Sequence, residues 1–380
     1  MPWREVSIMD ERVEFVSLAG CAVGHRLELC RRFGISAKTG YKWLERAATG
    51  DEEWFLDRSR RPHRSPRRSD AAVEAAVLEV RDRHPAWGAR KIRRYLEDEG
   101  IAVPAASTVH AILVRHSCVS RPMRATAHCR FEHPGPNLLW QMDFKGRFAL
   151  PDRRWCHPLT MIDDHSRYAL CLQACSNEQG DTVRGHLERT FQRYGLPDAL
   201  LVDNGSPWGD GPGQSWTRLG VWLLKLGVDV LHSRPYHPQT RGKNERFHRT
   251  LKAEVLAMEL LRTFAEVQAA FDRWRSIYNH KRPHQALDLE VPASRYSPSS
   301  RSMPSALPEP EYQAADVVRT VGTTKSYISF KGKPRRVPQA FQGERVAVRP
   351  LASDGHYGVF FGARQIASFD LRDKVQEPPA

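Results

Sequence analysis

The sequence predicts a multidomain chain: N-terminal all-α helix-turn-helix units, a central α/β core with a mixed sheet flanked by helices, and a small C-terminal β-barrel. Three observations predict it. Helical periodicity fills the first 120 or so residues, and the period changes to short apolar strands from Asn137 onward. A proline- and serine-rich stretch at 297–310 then precedes short strands bounded by Gly and Pro. At 380 residues the chain is long enough for several separate cores.

Residues 1–57 form the first expected helix-turn-helix domain. Val13, Val16 and Leu18 give one apolar set, and Leu27, Leu29 and Phe33 another. Gly34-Ile35-Ser36 makes a turn, and Ser36 suits the N-cap of a helix from Ala37 to Ala47. That helix is expected to expose Lys38, Thr39, Lys42 and Arg46, with Trp43 and Leu44 partly buried. A basic outward face is what a helix entering the major groove presents. A ligand-free helical bundle has the same apolar pattern, but the basic face favours DNA.

Residues 58–69 carry Arg58, Arg60, Arg61, Arg64, Arg67 and Arg68 with Pro62 and Pro66, a linker too charged to pack. Its arginines also suit a DNA backbone or minor groove. Residues 70–120 repeat the helical theme. Asp70 caps a helix carrying Val73, Val77 and Val80, and Pro85-Ala-Trp87-Gly88 breaks it. A second helix runs from Ala89 to Glu99 with Ile92, Tyr95 and Leu96 inward. Gly100 ends it, Ile101 to Pro104 is extended, and Ser107 starts a third helix through Arg115. This is expected to be a second, winged-type helix-turn-helix, with Arg90, Lys91, Arg93 and Arg94 on phosphates.

The core is expected over 134–295. Leu138 to Lys145, Leu159 to Asp163 and Tyr168 to Gln173 are successive strands. A helix from Thr182 to Tyr194 leads into the strand Ala199 to Asp203. Gly205 to Gly213 is a loop, Trp216 to Leu226 a helix and Val228 to His232 a strand. Helices at Thr240 to Met258 and Phe264 to Tyr278 close the unit, the second with a core stripe of Phe264, Val267, Phe271, Trp274 and Tyr278. Residues 296–312 form a linker. Val317-Val318, Tyr327 to Phe330, Arg345 to Val348 and Tyr357 to Phe361 are strands of the β-barrel at 313–375. Its basic tips are Lys325, Lys331, Lys333, Arg335 and Arg336.

The charge balance is basic, 58 Lys+Arg against 44 Asp+Glu, for a net charge of +14. The excess is spread over the N-terminal and C-terminal parts, which suits a long polyanion such as double-stranded DNA. Seven cysteines without paired spacing argue against a disulfide framework. Cys21, His25 and Cys30 lack a second ligand pair at zinc-finger spacing, so the cysteines are expected to be core thiols. No apolar run approaches a membrane span, and Glu5, Asp10 and Glu11 are unlike a signal peptide. An intracellular, cytoplasmic protein associated with the nucleoid is expected.

Asp143 and Asp203 end apolar strand-like runs, and Glu245 opens a helix. Three acids meeting in one cleft need a cation. Attack on a phosphodiester needs an activated oxygen, charge neutralisation and a stabilised leaving oxygen, which two Mg²⁺ ions supply together. Carboxylates suit Mg²⁺, with Mn²⁺ as a possible substitute, where His or Cys would draw softer metals. Asp143 is expected to bridge both ions, with Asp203 and Glu245 each holding one. On the helix after residue 240, Glu245, His248, Arg249 and Lys252 share one face, and Phe247, Leu251 and Met258 lie opposite. Asn204-Gly205 is expected to allow a sharp turn at the strand end. Asp163 and Asp164 fit a simple turn before Ser166-Arg167.

The D…D…E set, Asp203-Asn-Gly-Ser-Pro-Trp208 and Tyr236-His-Pro-Gln-Thr-Arg-Gly-Lys-Asn-Glu-Arg-Phe-His248 resemble the DDE transposases of bacterial insertion sequences. Those enzymes share a ribonuclease H-like core with retroviral integrases. Tyr278-Asn-His-Lys-Arg-Pro-His-Gln-Ala-Leu287 is similar to the segment that follows their core. The resemblance spans roughly residues 10–295. It implies Mg²⁺-dependent hydrolysis at element ends, then attack of the freed 3′-hydroxyl on target DNA, with Asp143, Asp203 and Glu245 as ligands. It also implies that Lys252 contacts terminal DNA and that Lys243, His237 and Gln239 position substrate. Asp203 and Glu245 are 42 positions apart (245 − 203), wider than in many members, and the segment around Trp216 accounts for the extra length. The integrase His/Cys zinc set is absent. The resemblance implies a transposase that binds the terminal repeats of its element as a homo-oligomer. Alternatives are a non-catalytic DNA-binding regulator derived from such an enzyme, which loss of a ligand would mark, and a plain nuclease, which two helix-turn-helix units oppose.

Overall fold

A computed structural model describes residues 7–21, 25–50, 52–58, 69–119, 132–209, 216–232 and 242–372. The chain divides into two compact units, Met1–Arg68 and Ser69–Ala380.

In the first unit, α1 (Ile8–Cys21), α2 (Arg26–Arg32) and α3 (Ala37–Ala48) form the expected three helices. The Ser36 side chain accepts from the Thr39 amide, which starts α3 where the sequence places it. The apolar sets differ from expectation. Phe15, Ala19, Cys30 and Trp43 are buried, whereas Val13, Leu18 and Leu27 are exposed. Phe15 and Ala19 stand one turn apart on one face of α1, and Phe15 meets Phe33 edge to face at 5.5 Å. A three-helix unit this small covers only that face. Gly40 is close-packed: a Cβ there would sit 2.5 Å from Cys30 Sγ.

The larger unit begins with α4 (Ala71–Arg83), α5 (Ala89–Asp98) and α6 (Ala106–Arg115). Asp70 caps α4 by accepting from the Ala72 amide, and Val77, Val80, Trp87, Ile92, Leu96, Val109 and Ile112 form the core. No strand follows α6 among the described residues 69–119, so the wing of the expected winged-type motif is not seen there. The arginine-rich linker lies, from residue 59 to 68, outside the described residues, as do 120–131.

The core elements follow the predicted order with one short strand, β2, added: β1 (Leu139–Phe144), β2 (Phe148–Ala149), β3 (Trp155–Asp163), β4 (Ala169–Cys175), α7 (Gly180–Tyr194), β5 (Ala199–Val202), α8 (Arg218–Lys225), β6 (Asp229–His232), α9 (Gly242–Leu251) and α10 (Phe264–His280). β3 pairs antiparallel with β1, β2 and β4, and β5 pairs parallel with β1 and β6. The sheet is therefore mixed, as expected. Because successive side chains alternate, it has two buried faces. Trp140, Met142, Leu159, Met161, Leu200 and Val202 pack under α7 and α8. Ile162, Ala169 and Leu172 pack on the other face against Phe247 and Leu251 of α9 and Phe271 and Trp274 of α10.

Two expectations about the core are corrected. α9 gives way at Lys252–Leu256 to a π-helical turn, so Met258 does not stay in line with Phe247 and Leu251 and is exposed. The stretch 297–310 is no free linker. Arg301 donates to the carbonyls of Pro197, Leu226 and Gly227, and Tyr296 stacks on Tyr168 at 4.4 Å. Gly195, at φ +78°, lies so close to this stretch that a Cβ would meet Ser299 O at 2.7 Å.

The C-terminal strands are β7 (Val317–Thr320), β8 (Tyr327–Phe330), β9 (Lys333–Arg336), β10 (Arg345–Pro350), β11 (His356–Phe361) and β12 (Arg364–Asp370). They form a four-stranded antiparallel sheet, β12-β11-β10-β7, and a separate β8–β9 pair, not a closed barrel. Val221 and Trp216 of the core pack into its apolar cluster, so covering by the core replaces closure. Cys30, Cys156, Cys171 and Cys175 are buried free thiols, and burial pushes Cys156 and Cys175 up to about 12. Among the described residues no helix is long and apolar enough to cross a membrane.

Candidate active site

β1 and β5 pair as Leu139–Ala199, Trp140–Leu200 and Gln141–Leu201, a constant offset of 60 (199 − 139). The same offset carried two residues further sets Asp143 level with Asp203 (203 − 143 = 60). Neighbouring strands lie about 4.8 Å apart, so the two half-buried aspartates leave the sheet side by side. Their face follows from alternation. Trp140, Met142, Leu200 and Val202 point under α7 and α8, so Asp143 and, one step past β5, Asp203 point to the α9 side.

The backbone at both positions is held. Thr160 lies opposite Asp143 in the β1–β3 ladder, and its hydroxyl donates to the Asp143 carbonyl at 2.8 Å. The His232 ring donates from Nδ1 to the Asp203 carbonyl at 2.9 Å, and the Gly205 amide donates to Asp203 Oδ1 at 3.2 Å. Gly205 thus contributes an N–H to the turn rather than a left-handed conformation.

Glu245 is exposed in the first turn of α9. The helix under it is anchored at three points. Phe247 packs edge to face on Trp274 at 5.3 Å and Tyr278 at 4.9 Å. Lys243 Nζ lies 2.5 Å from Asp164 Oδ1, and His248 Nε2 lies 2.8 Å from Thr160 Oγ1. Asp164 is no surface turn residue. It is fully buried, and it also accepts from Gln141 at 2.7 Å and from the His133 amide at 2.9 Å. Asp163, equally buried, accepts from Ser166 and the Asn137 amide, and burial holds its carboxyl above the ordinary range. Burial outweighs the Asp164 partner for Lys243, pulling it down to about 8, and pulls His248 to about 4.

Cations flank the acids. Arg249 is exposed on α9, and Lys252 is exposed at the start of the π-helical turn that follows it. Lys145, two residues past Asp143, is half-buried, and burial together with the nearby Lys252 charge lowers its pKa. Among the described residues no three His, Cys, Asp or Glu side chains are close enough to enclose a metal ion. The backbone nonetheless turns Asp143 and Asp203 to the side of the sheet that α9 covers. Their chemistry still fits a hard divalent ion, since the set is all oxygen and two members are level by register.

The DNA-facing candidates divide. Lys38 and Lys42 are exposed, Lys42 lying over the Trp43 ring at 4.3 Å. Thr39 is half-buried beside Ser36, and Arg46 is half-buried with its guanidinium on the Leu56 carbonyl, so neither has the free exposure expected. Arg90 is exposed. Lys91 is half-buried; burial first, then repulsion from Arg282, lowers it to about 8. Arg93 pairs with Glu97, and Arg94 with Asp98 and Glu290. Arg335 is also inside, on the Asp370 carbonyl and the Phe369 ring. His237 and Gln239 lie outside the described residues.

Sequence reasoning missed Thr160, His232 and Lys145. Thr160 left one trace, a polar residue inside the apolar run Leu159-Thr-Met-Ile162, on the face shared with Asp143. His232 left none, because its role depends on the β5–β6 register.

The chain matches four known families over parts of its length. Residues 133–238 and 226–292 each match an integrase core domain. Residues 316–377 match the C-terminal domain of the IS481 family of transposases, and 39–113 a homeodomain-like domain. An uncharacterized 31.7 kDa protein of insertion element IS407 from Burkholderia multivorans is 25% identical over 204 residues, 54% of this chain and 67% of that protein. A 39.2 kDa protein of IS476 from Xanthomonas euvesicatoria is 25% identical over 167 residues, 44% of this chain and 46% of that protein. The Gag-Pol polyprotein of baboon endogenous virus is 26% identical over 196 residues, 49% of this chain and 11% of the polyprotein. Among solved structures, a simian T-cell lymphotropic virus intasome in complex with PP2A regulatory subunit B56 gamma is similar at 16% identity and a TM-score of 0.38, over 78% of this chain and 100% of that one. The HTLV-2 integrase catalytic core in complex with magnesium is similar at 14% identity and a TM-score of 0.33, over 43% of this chain and 97% of that one.

Proposed function

The chain belongs to the insertion-sequence transposases with an integrase-like core, and on that premise we propose that it is a DDE-type polynucleotidyl transferase. It binds the terminal inverted repeats of its own element, hydrolyses the 3′ ends and joins them to target DNA. One observation carries the reading. The register of the adjacent parallel strands β1 and β5, extended two residues, sets Asp143 level with Asp203 just past β5, on the face covered by the helix that bears Glu245. That is the arrangement a shared divalent-metal site requires of its backbone.

Asp143, Asp203 and Glu245 would hold Mg²⁺, or Mn²⁺ in its place. A divalent ion there supplies charge neutralisation on the phosphate and a lowered pKa for an attacking oxygen. The chain's own residues do the rest. Thr160 and His232 hold the backbones of the two aspartates, so their carboxylates keep one separation while the phosphate charge changes. The exposed Arg249 and Lys252 give a DNA strand a cationic margin beside the acids. Lys38, Lys42 and Arg90 reach phosphates from the two helical units. Two ends are cut together, so the active form is a homo-oligomer on DNA. The basic charge and the DNA substrate fit a cytoplasmic protein at the nucleoid.

A non-catalytic regulator is not favoured, because all three carboxylates are retained. The test is strand joining. A labelled duplex ending in the repeat that brackets the gene is incubated with target DNA, Mg²⁺ and either wild type or Asp203→Asn. Wild type joins and the variant does not; equal joining by both refutes the role given to Asp203.

A further inference from the structure

Behind the acids runs a hydrogen-bonded path that uses none of the three carboxylates. His248 stands one turn after Glu245 on α9, with Nε2 2.8 Å from Thr160 Oγ1. Thr160 is fully buried on β3, and its hydroxyl donates to the Asp143 carbonyl, also at 2.8 Å. With that hydrogen committed to the carbonyl, the Thr160 oxygen accepts, so His248 presents Nε2–H. A neutral imidazole does this in the Nε2–H tautomer. The path therefore runs α9 to β3 to β1, from the helix that carries one acid to the strand that carries another.

We propose that His248 and Thr160 are positioning residues that fix the height of the Glu245 helix against Asp143, and that His248 is not a DNA contact. This rests on the reading of the carboxylates as metal ligands. Phe247 and Leu251 hold α9 down, but apolar burial has no direction along the helix axis. A slip of one residue moves a helix by about 1.5 Å, which an ion demanding near-octahedral geometry does not tolerate. Two short hydrogen bonds are directional and supply the missing constraint. Lys243 on Asp164 tethers the helix start, and Asp164 in turn accepts from Gln141 of β1, so this second link meets the strand two residues short of Asp143, where the Thr160 link meets Asp143 itself.

The test is Mn²⁺ binding to the full-length chain without DNA, followed by titration calorimetry and the spin-resonance signal of free Mn²⁺. Thr160→Val and His248→Leu each weaken binding about tenfold or more, the usual cost of losing a group that orients a ligand. The double variant is no worse than the poorer single one. Thr160→Ser keeps the hydroxyl and His248→Gln keeps an N–H near the Nε2 position, so both bind close to wild type. Retention of duplex DNA in a gel shift is unchanged throughout. The proposal is overturned if Thr160→Val and His248→Leu bind Mn²⁺ like wild type, or if His248→Leu loses DNA retention instead. It is equally overturned if the Ser and Gln variants fall as far as Val and Leu, which marks packing rather than hydrogen bonding. Should His248→Leu fail to fold by circular dichroism, Thr160→Val against Thr160→Ser decides alone. A different failure marks the underlying reading: wild type that binds no Mn²⁺, or Asp143→Asn that binds as wild type does, overturns the metal site itself.

Discussion

Removing Arg282 should cost less than removing Glu254, although each is the other's partner. The pair is buried, with side chains 8% and 9% exposed. Arg282 Nε lies 3.0 and 3.2 Å from the two Glu254 oxygens, and a terminal nitrogen lies 2.9 Å from Oε1. Trp274 Nε1 donates to the same carboxylate at 2.9 Å. Breaking a buried pair leaves one uncompensated charge, at about 3–5 kcal/mol. Lys91 decides which end of that range applies. Its ammonium feels both groups, attracted by Glu254 and repelled by Arg282. In Arg282→Met the carboxylate keeps Trp274 and gains Lys91 as a counter-ion, so the cost falls near 3 kcal/mol. In Glu254→Leu the buried Arg282 and the half-buried Lys91 repel each other without that carboxylate, and the cost approaches about 5 kcal/mol. The double variant, apolar on both sides, should be near wild type. Urea unfolding of the three variants, followed by circular dichroism, measures the order. Arg282→Met as costly as Glu254→Leu, or both within about 1 kcal/mol of wild type as for a surface pair, would refute the reasoning.

Three further outcomes follow from buried polar groups. Lys91→Met should raise stability at neutral pH, since burial holds this lysine at about 8 and its charge is carried at a cost. In wild type the unfolded chain holds the Lys91 proton more tightly, so Lys91 makes stability rise between about pH 8 and the ordinary lysine value, and thermal melts of Lys91→Met should lack that rise. His186, lowered to about 4, and His284, lowered well below its ordinary value, are depressed by burial. The unfolded chain takes up their protons first, so the stability they contribute is full above about pH 6.5 and is lost as pH falls below it, for His186 down to about 4; melts across acid pH measure it. Asn279 holds both polar groups of Ala169, accepting at 2.8 Å and donating at 3.0 Å. Asn279→Leu leaves the N–H and C=O of that strand residue without this partner, and denaturation should register about 2–5 kcal/mol of lost stability.

What the sequence carried was local or periodic. The caps at Ser36 and Asp70 and the turn at Pro85 to Gly88 depend on residues a few positions apart, and each occurs where expected. The mixed sheet and the α10 stripe of Val267, Phe271, Trp274 and Tyr278 follow from period alone. Even the aspartates were half legible, because alternation fixes the face of Asp143 once Trp140 and Met142 are taken as core. Long-range pairing was not legible. Asp164 meets Lys243 across 79 residues, and Arg301 caps carbonyls near Pro197 and Gly227 from about a hundred and 74 residues away. A charged side chain read from sequence looks like a solvated one until its partner is known, so Arg46, Lys91 and Arg335 were expected outside. Met258 failed for another reason: a helical wheel assumes one constant turn, and the π-helical stretch at Lys252–Leu256 breaks it.

Crystals grown with terminal-repeat DNA and Mn²⁺, with anomalous scattering recorded from the metal, test the central claim most directly. The account predicts anomalous peaks between Asp143 and Asp203, within coordination distance of their carboxylate oxygens, with Glu245 completing the set. Metal bound only elsewhere, or a Glu245 carboxylate turned away from an occupied aspartate pair, would contradict it.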